Sequence, residues 1–287
     1  MNLFLRKPRQ SLTRIMHDGW SHAIAPVKPL LIGSLAILSV LAGLAVDAGA
    51  QSLRLSDAQA ARIGERIWRN ESGGTIAGLT AWNYGEDFAS LGIAHFIWYP
   101  EGRRGPFEES FPLLLSNFQA AGVRLPGWLA NSRSCPWPDR SHFLADQRGS
   151  RMEELRSLLA NTVALQAKFA VSRLEAALPK MLEAAEPSRR EKIRRNFYRV
   201  AAEASGPYAL VDYVNFKGEG TLASERYKGL GWGLLQVLEA MDDGPALLEF
   251  RHAADVILTR RVENSPPERG ESRWLRGWKN RTGTYTD

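Results

Sequence analysis

The 287-residue chain contains a single cysteine, Cys135, so it cannot form an intrachain disulfide or a metal site built from cysteines. We expect Cys135 to be a partly buried, inert thiol, with a nucleophilic role as the alternative. The sequence also shows no internal repeat and no low-complexity linker. These absences exclude a disulfide scaffold and a repeat architecture, and they favour one domain over residues 51–287.

The chain also has little excess charge, with a formal net charge of +6. Residues 1–50 contain five Lys or Arg and two Asp, which leaves +3 for residues 51–287. A balance this weak argues against nucleic acid as a partner. It suits an anionic polymer such as a cell wall.

The apolar run over residues 30–42 is short for a membrane-spanning helix, even when it is extended through Val46. A basic region precedes the run, and Ala48-Gly49-Ala50 follows it with the small-x-small pattern of a cleavage site. We therefore predict that residues 1–50 are an export signal and that the mature protein is periplasmic or secreted. Because the basic region is long, an uncleaved N-terminal anchor is the alternative, and only then would the membrane be a partner.

Most of the remaining chain has helical patterning. Ser56 and Gln59 form a capping-box pattern, which predicts a helix from Asp57 to about Asn70. Residues 79–99 predict two short strands, the second of them over residues 91–99. The expected fold is thus mostly α, in the α+β class, with a small β element after the first helix. Further helices are predicted over residues 108–121, 151–178 (with a break near Asn161), 188–204, 229–241 and 245–263, before an irregular tail in which Trp274 and Trp278 pack back on the body.

Residues 67–100 combine large rings with acids, a histidine and several glycines. A substrate cleft needs this mixture, because it has apolar walls with a few convergent polar groups. The alternative is an aromatic core edge whose acids face water. Within this stretch the candidate substrate-binding residues are Trp82, Asn83, His95, Trp98 and Tyr99.

Glu71 is the candidate general acid. The negative end of the helix dipole and burial beside Trp68 and Trp82 would both disfavour its charged form, as an acid working near neutrality requires. A solvated glutamate at a frayed helix end is the alternative.

Glu71, at the end of the first predicted helix, is followed by Ser90-Leu91-Gly92-Ile93-Ala94-His95 in the predicted β element. With these residues the stretch from about Ser56 to Trp98 resembles the lysozyme-like superfamily. Phage-type lysozymes place an acidic Glu at the end of the first helix, followed by a β element containing Thr-x-Gly-x-Gly-His. In this chain Ser replaces Thr and Ala94 replaces the second glycine. Glu71-Ser72 is also similar to the Glu-Ser pair of lytic transglycosylases.

The resemblance implies a lysozyme-like helical domain in which Glu71 protonates the glycosidic oxygen. Glu86 or Asp87, together with Ser90, would orient water, although both acids lie closer to Ser90 than the family places its Asp. A transglycosylase would need Glu71 alone. The resemblance gives His95 a structural role near the acid.

A second dense loop, residues 215–221, places Lys217 and Glu219 among glycines, and we expect both to face the same cleft as Glu71. The alternative is a simple connection between helices. The loop lacks the Lys-Ser/Thr ending of a phosphate-binding loop, and the histidines lack ligand spacing, so no cofactor and no metal are expected. The glycines of residues 229–233 indicate close helix packing.

Together these features predict an exported cell-envelope protein that hydrolyses or transglycosylates peptidoglycan or another glycan. The alternatives are a non-catalytic periplasmic module that binds glycan or peptide, and a helical scaffold without a small ligand.

Overall fold

A computed structural model describes residues 53–105 and 107–287. These residues contain eleven α-helices and two small antiparallel sheets around one hydrophobic core, which confirms the mostly α class. The predicted signal lies outside the described residues. None of the helices described is long and apolar enough to cross a membrane.

The helices supply most of the core. The helix bounds are α1 Asp57–Ser72, α2 Phe111–Ala120, α3 Gly127–Ala130, α4 Arg140–Ala145, α5 Ser150–Asn161, α6 Val163–Ala184, α7 Arg190–Ala201, α8 Gly206–Lys217, α9 Leu234–Ala240, α10 Ala246–Asn264 and α11 Ser272–Gly283. Helix α1 packs along α6 and α8, while α10 packs against α7, α9 and α11.

Helix α1 begins and ends as its sequence predicts. Ser56 Oγ accepts a hydrogen bond from the Gln59 amide, and Gln59 Oε1 accepts one from the Ser56 amide, so the capping box is present. Gly73 ends the helix in the left-handed conformation, with φ 63°. Glu71 therefore lies in the last turn, where the chain leaves the helix for the sheet.

The β element has three strands instead of the two predicted. Strands β1 (Thr80–Ala81), β2 (Ala89–Leu91) and β3 (Phe96–Trp98) form an antiparallel meander in the order β1-β2-β3. The single strand predicted over residues 91–99 is wrong because Gly92 and His95 adopt φ 75° and 50° and reverse the chain between β2 and β3.

Two helix predictions also need correction. The helix predicted from residue 229 begins only at Leu234, because Lys228 and Gly229 adopt positive φ and turn the chain between β4 (Arg226–Tyr227) and β5 (Leu230–Gly231). The tail after residue 266 contains α11 instead of irregular chain. Of its two tryptophans, Trp278 packs on the body, against Phe216, whereas Trp274 is exposed. The predicted break near Asn161 is confirmed between α5 and α6.

Cys135 lies in the core. Burial raises the pKa of its thiol to about 12, against a hydrogen bond from the backbone near Trp137 that lowers it. The thiol is therefore protonated at neutral pH, which supports the inert interpretation and argues against a nucleophile.

Candidate functional site

A cleft of about 390 Å³ lies where β3, the last turns of α1 and α8, and the loop of residues 218–225 meet. Its volume falls in the range of small-molecule and cofactor sites. The titratable lining residues are Glu71, His95, Glu108, Arg173, Lys180, Glu219 and Glu225.

Glu71 is largely buried, with 14% of its side chain exposed. Its Oε1 accepts a hydrogen bond from Nη2 of Arg281, and its Oε2 lies 3.4 Å from Nδ1 of His95. His95 reaches this position because its positive φ completes the β2–β3 turn. The structure thus brings together the candidate acid and the candidate histidine, and it adds a cation from the C-terminal helix.

Arg281 is itself held by Asp212 of α8, whose side chain is fully buried. Asp212 also accepts hydrogen bonds from Asn70 at 2.9 Å and from the Tyr285 hydroxyl at 2.7 Å. Sequence reasoning missed both Arg281 and Asp212, because they lie 69 positions apart in the chain and Arg281 is 210 positions from Glu71.

The loop of residues 218–225 lies on the same cleft, whereas residues 215–217 of the predicted second loop belong to α8. Helix α8 ends at Lys217, and the carbonyls of Gly218 and Glu219 accept hydrogen bonds of 3.0 Å from the amides of Leu234 and Leu235. These bonds fasten the loop to the first turn of α9. As a result Glu219 lines the cleft together with Glu71, and among the residues described it has no ion-pair partner.

The glycines before α9 allow close backbone contact, as the sequence indicates. A Cβ on Gly233 would lie 2.1 Å from the amide nitrogen of Gly220. Gln236 then links the two segments, since its side chain donates to the Gly220 carbonyl and accepts from the Gly233 amide.

Glu225 is a cleft carboxylate that sequence reasoning did not single out. Its Oε2 accepts hydrogen bonds from the amides of Gly220 at 2.8 Å and Leu222 at 3.2 Å, which closes the loop. Burial raises the pKa of Glu225, the nearby Glu219 raises it further, and the two amides lower it. Glu225 thus stabilises the closed loop and also contributes a carboxylate to the cleft.

Lys217 does not face the cleft, contrary to the prediction. Its Nζ is buried 3.3 Å from the centre of the Trp278 ring and 3.9 Å from that of Phe216. Burial, together with the smaller effect of the neighbouring cation Arg261, lowers the pKa of Lys217 to about 6. It therefore belongs to the packing between α8 and α11.

The three aromatic residues predicted to bind substrate are buried instead. Trp82 packs edge-on against Phe143, Trp98 lies against Phe111, and Tyr99 lies against Phe88. Each ring is buried because it packs against an aromatic partner from another part of the chain. The exposed ring on the cleft is Phe107, which is 52% accessible.

The predicted second carboxylates also lie elsewhere. Among the described residues, neither Glu86 nor Asp87 lines the cleft. Glu86 accepts a hydrogen bond from Asn83, and Asp87 pairs with Arg103 at 2.8 Å on the surface. Ser90 is 3% exposed in β2. It stands opposite Ile97, a cleft residue, but among the described residues it does not itself line the cleft.

Within residues 53–105 and 107–287 no group of three His, Cys, Asp or Glu side chains is arranged to hold a metal ion. No protein-family model matches the chain, and no curated protein and no solved structure match it at a significant level.

Proposed function

We propose that the cleft binds a glycan strand of the cell envelope and cleaves it, with Glu71 as the reacting carboxylate. The observation that carries this proposal is the shared cleft of Glu71 and Glu219, two acids from distant segments beside a small sheet that follows the first helix. Phe107 offers an exposed aromatic face at which a sugar ring could stack. The proposal accords with the resemblance of residues 56–98 to lysozyme-like proteins.

Glu71 would protonate the glycosidic oxygen. Arg281 fixes the position of the carboxylate, because its Nη2 donates a hydrogen bond to Oε1 of Glu71. His95 lies on the other side, with Nδ1 3.4 Å from Oε2 of Glu71.

Glu219 is the better candidate for the second carboxylate than Glu86 or Asp87, because it lines the cleft and they do not. In an inverting hydrolase it would activate water on the far side of the sugar, and such carboxyl pairs stand about 6.5–9.5 Å apart. In a transglycosylase Glu71 alone would act as acid and then as base. The Glu219→Gln variant separates the two reactions, since only the hydrolase should lose activity.

The same proposal requires export. Protein purified from the periplasmic or secreted fraction should begin at Gln51 by N-terminal sequencing, whereas Met1 in the membrane fraction would favour an anchor.

The decisive experiment compares Glu71→Gln with wild type in the clearing of purified cell walls. The variant should lose about 10²–10⁴-fold in rate, because the amide cannot donate the proton. It should remain folded, since Arg281 keeps its pair with Asp212. Glu65→Gln is the matched control, because Glu65 is an exposed acid of the same helix. Equal clearing by wild type and both variants would remove Glu71 as the acid.

A second candidate is a glycan-binding module without catalysis. The contacts of Glu71 favour it, because Arg281 and His95 each already face one oxygen of the carboxylate. Wild-type protein that co-sediments with walls but never clears them would identify this function.

A further inference from the structure

Two cations on one face of α6 line the cleft. Arg173 and Lys180 are seven residues apart, which is two helical turns and a rise of about 10.5 Å. Both stand 3.7 Å from the same Oε2 of Glu108. That separation is longer than a hydrogen bond, and neither cation donates a side-chain hydrogen bond to another residue in the part of the chain described.

The three groups carry a surplus of one positive charge, because two cations share one carboxylate. Their side chains are accessible, with 36% of Arg173 and 60% of Lys180 exposed. The same cleft holds Glu71, Glu219 and Glu225. A cleft that only bound neutral sugar rings would gain little from two exposed cations that share one carboxylate, since sugars offer no charge to pair with them.

We propose that Arg173 and Lys180 bind carboxylate groups carried by the glycan, so that the substrate is an acidic glycan and not a neutral one such as chitin. The inference rests on the proposed function and adds its specificity. The carboxylates could belong to peptides attached to the strand or to acid substituents on the sugars themselves. In either case Arg173 supplies a planar fork that matches a carboxylate, and Lys180 supplies a compact second charge.

Binding by the Arg173→Gln/Lys180→Gln double variant tests this assignment. The matched control is Lys192→Gln/Arg194→Gln, which removes the same two charges from α7, outside the cleft. Both pairs are made in the Glu71→Gln background, so that cleavage does not distort the measurement. Three probes are used. Binding to intact peptidoglycan is measured by co-sedimentation. Binding to soluble strands stripped of peptide by an amidase, and to neutral N-acetylglucosamine oligomers, is measured by calorimetry.

We expect the cleft double variant to bind intact peptidoglycan about 3- to 10-fold more weakly than its parent, since partly exposed pairs are screened by solvent. The control should bind like the parent, and neutral oligomers should bind more weakly than peptidoglycan and equally to all proteins. The amidase leaves a new carboxylate on each sugar from which it removes a peptide. Stripped strands that lose the sensitivity therefore place the carboxylates on the peptides, and strands that keep it show that the two cations also accept a carboxylate on the sugar.

The inference is overturned if the cleft double variant binds as the control does, or if neutral oligomers bind as tightly as peptidoglycan. Either result leaves the proposed cleavage intact, because cleavage is judged separately from Glu71→Gln. Failure of the parent protein to bind any of the three probes would overturn both proposals.

Discussion

Nε and Nη2 of Arg281 each lie 2.9 Å from a different carboxylate oxygen of Asp212, which joins the C-terminal helix to α8 directly beside Glu71. Asp212 is fully buried and Arg281 is 17% exposed. Such a buried pair adds little net stability compared with an apolar pair, but the loss of one partner leaves an uncompensated charge. The pair therefore makes the position of Glu71 depend on a residue near the end of the chain.

Arg281→Met should lower the free energy of unfolding by about 3–5 kcal/mol, because it removes one partner of a buried ion pair and leaves Asp212 in the core without a cation. Urea unfolding at neutral pH measures the change. Arg276→Met, an exposed position on the same helix, is the control and should stay within about 0.5 kcal/mol of wild type. The double variant Asp212→Asn/Arg281→Met should recover part of the loss, and no recovery would contradict this account of the pair.

The second prediction concerns the contribution of Lys217 to the pH dependence of stability. Its neighbours in the packing are the cations Arg261 and Arg281 and the carboxylate Glu271, together with the rings of Phe216 and Trp278. Its pKa is about 6 in the folded protein, against an ordinary value of 10.5. Between these values the unfolded chain binds one more proton than the folded chain, so this group makes stability rise as pH rises.

Lys217→Met removes the titration while keeping an unbranched side chain of similar length. The variant should exceed wild type in stability near pH 6, and its advantage should shrink by more than about 1.4 kcal/mol, the equivalent of one pKa unit, between pH 6 and pH 9. Urea unfolding of both proteins at several pH values measures the difference, from which titrations common to both cancel. An advantage that does not change with pH would contradict a buried neutral lysine.

The sequence predicted the part of the site formed by the end of α1, because the signals that define this helix are local. The capping box of α1, the glycines that end it, and the acid in its last turn all act within a few residues. The sequence predicted two strands instead of three, because the turn from Gly92 to His95 was not recognised. That turn needs a positive φ at His95, which a histidine in a sequence does not indicate.

The remaining contacts of the site depend on tertiary packing. Arg281 could not be assigned to Glu71 without knowing that residues 272–283 form a helix that folds back over α8. Aromatic residues were misassigned for the same reason. Trp98 and Phe107 are nine positions apart in the sequence, but Trp98 packs against Phe111 of α2 and is buried, whereas Phe107 is exposed.

The last prediction concerns Gly218, the glycine that begins the loop of residues 218–225. Gly218 has φ 86° and ψ 178°, a conformation essentially restricted to glycine. A Cβ at this position would lie 1.7 Å from Oε1 of Glu225, the carboxylate that closes the loop through the amides of Gly220 and Leu222. The substitution Gly218→Ala therefore meets two obstacles, a strained backbone and a collision with a partly buried side chain.

Gly229→Ala provides the matched control, because Gly229 has φ 81° but nothing lies within 4 Å of its added Cβ. We expect Gly229→Ala to lower the free energy of unfolding by about 1–2 kcal/mol through backbone strain alone, with wall binding unchanged. Gly218→Ala should lower it by about 2–3 kcal/mol and should also weaken wall binding, since the loop that carries Glu219 must shift to release Glu225. Urea unfolding and co-sedimentation with cell walls, measured on both variants, separate the two effects. If Gly218→Ala destabilises the protein more than Gly229→Ala but binds walls as wild type does, the loop is a structural connection and Glu219 does not contribute to binding in the cleft.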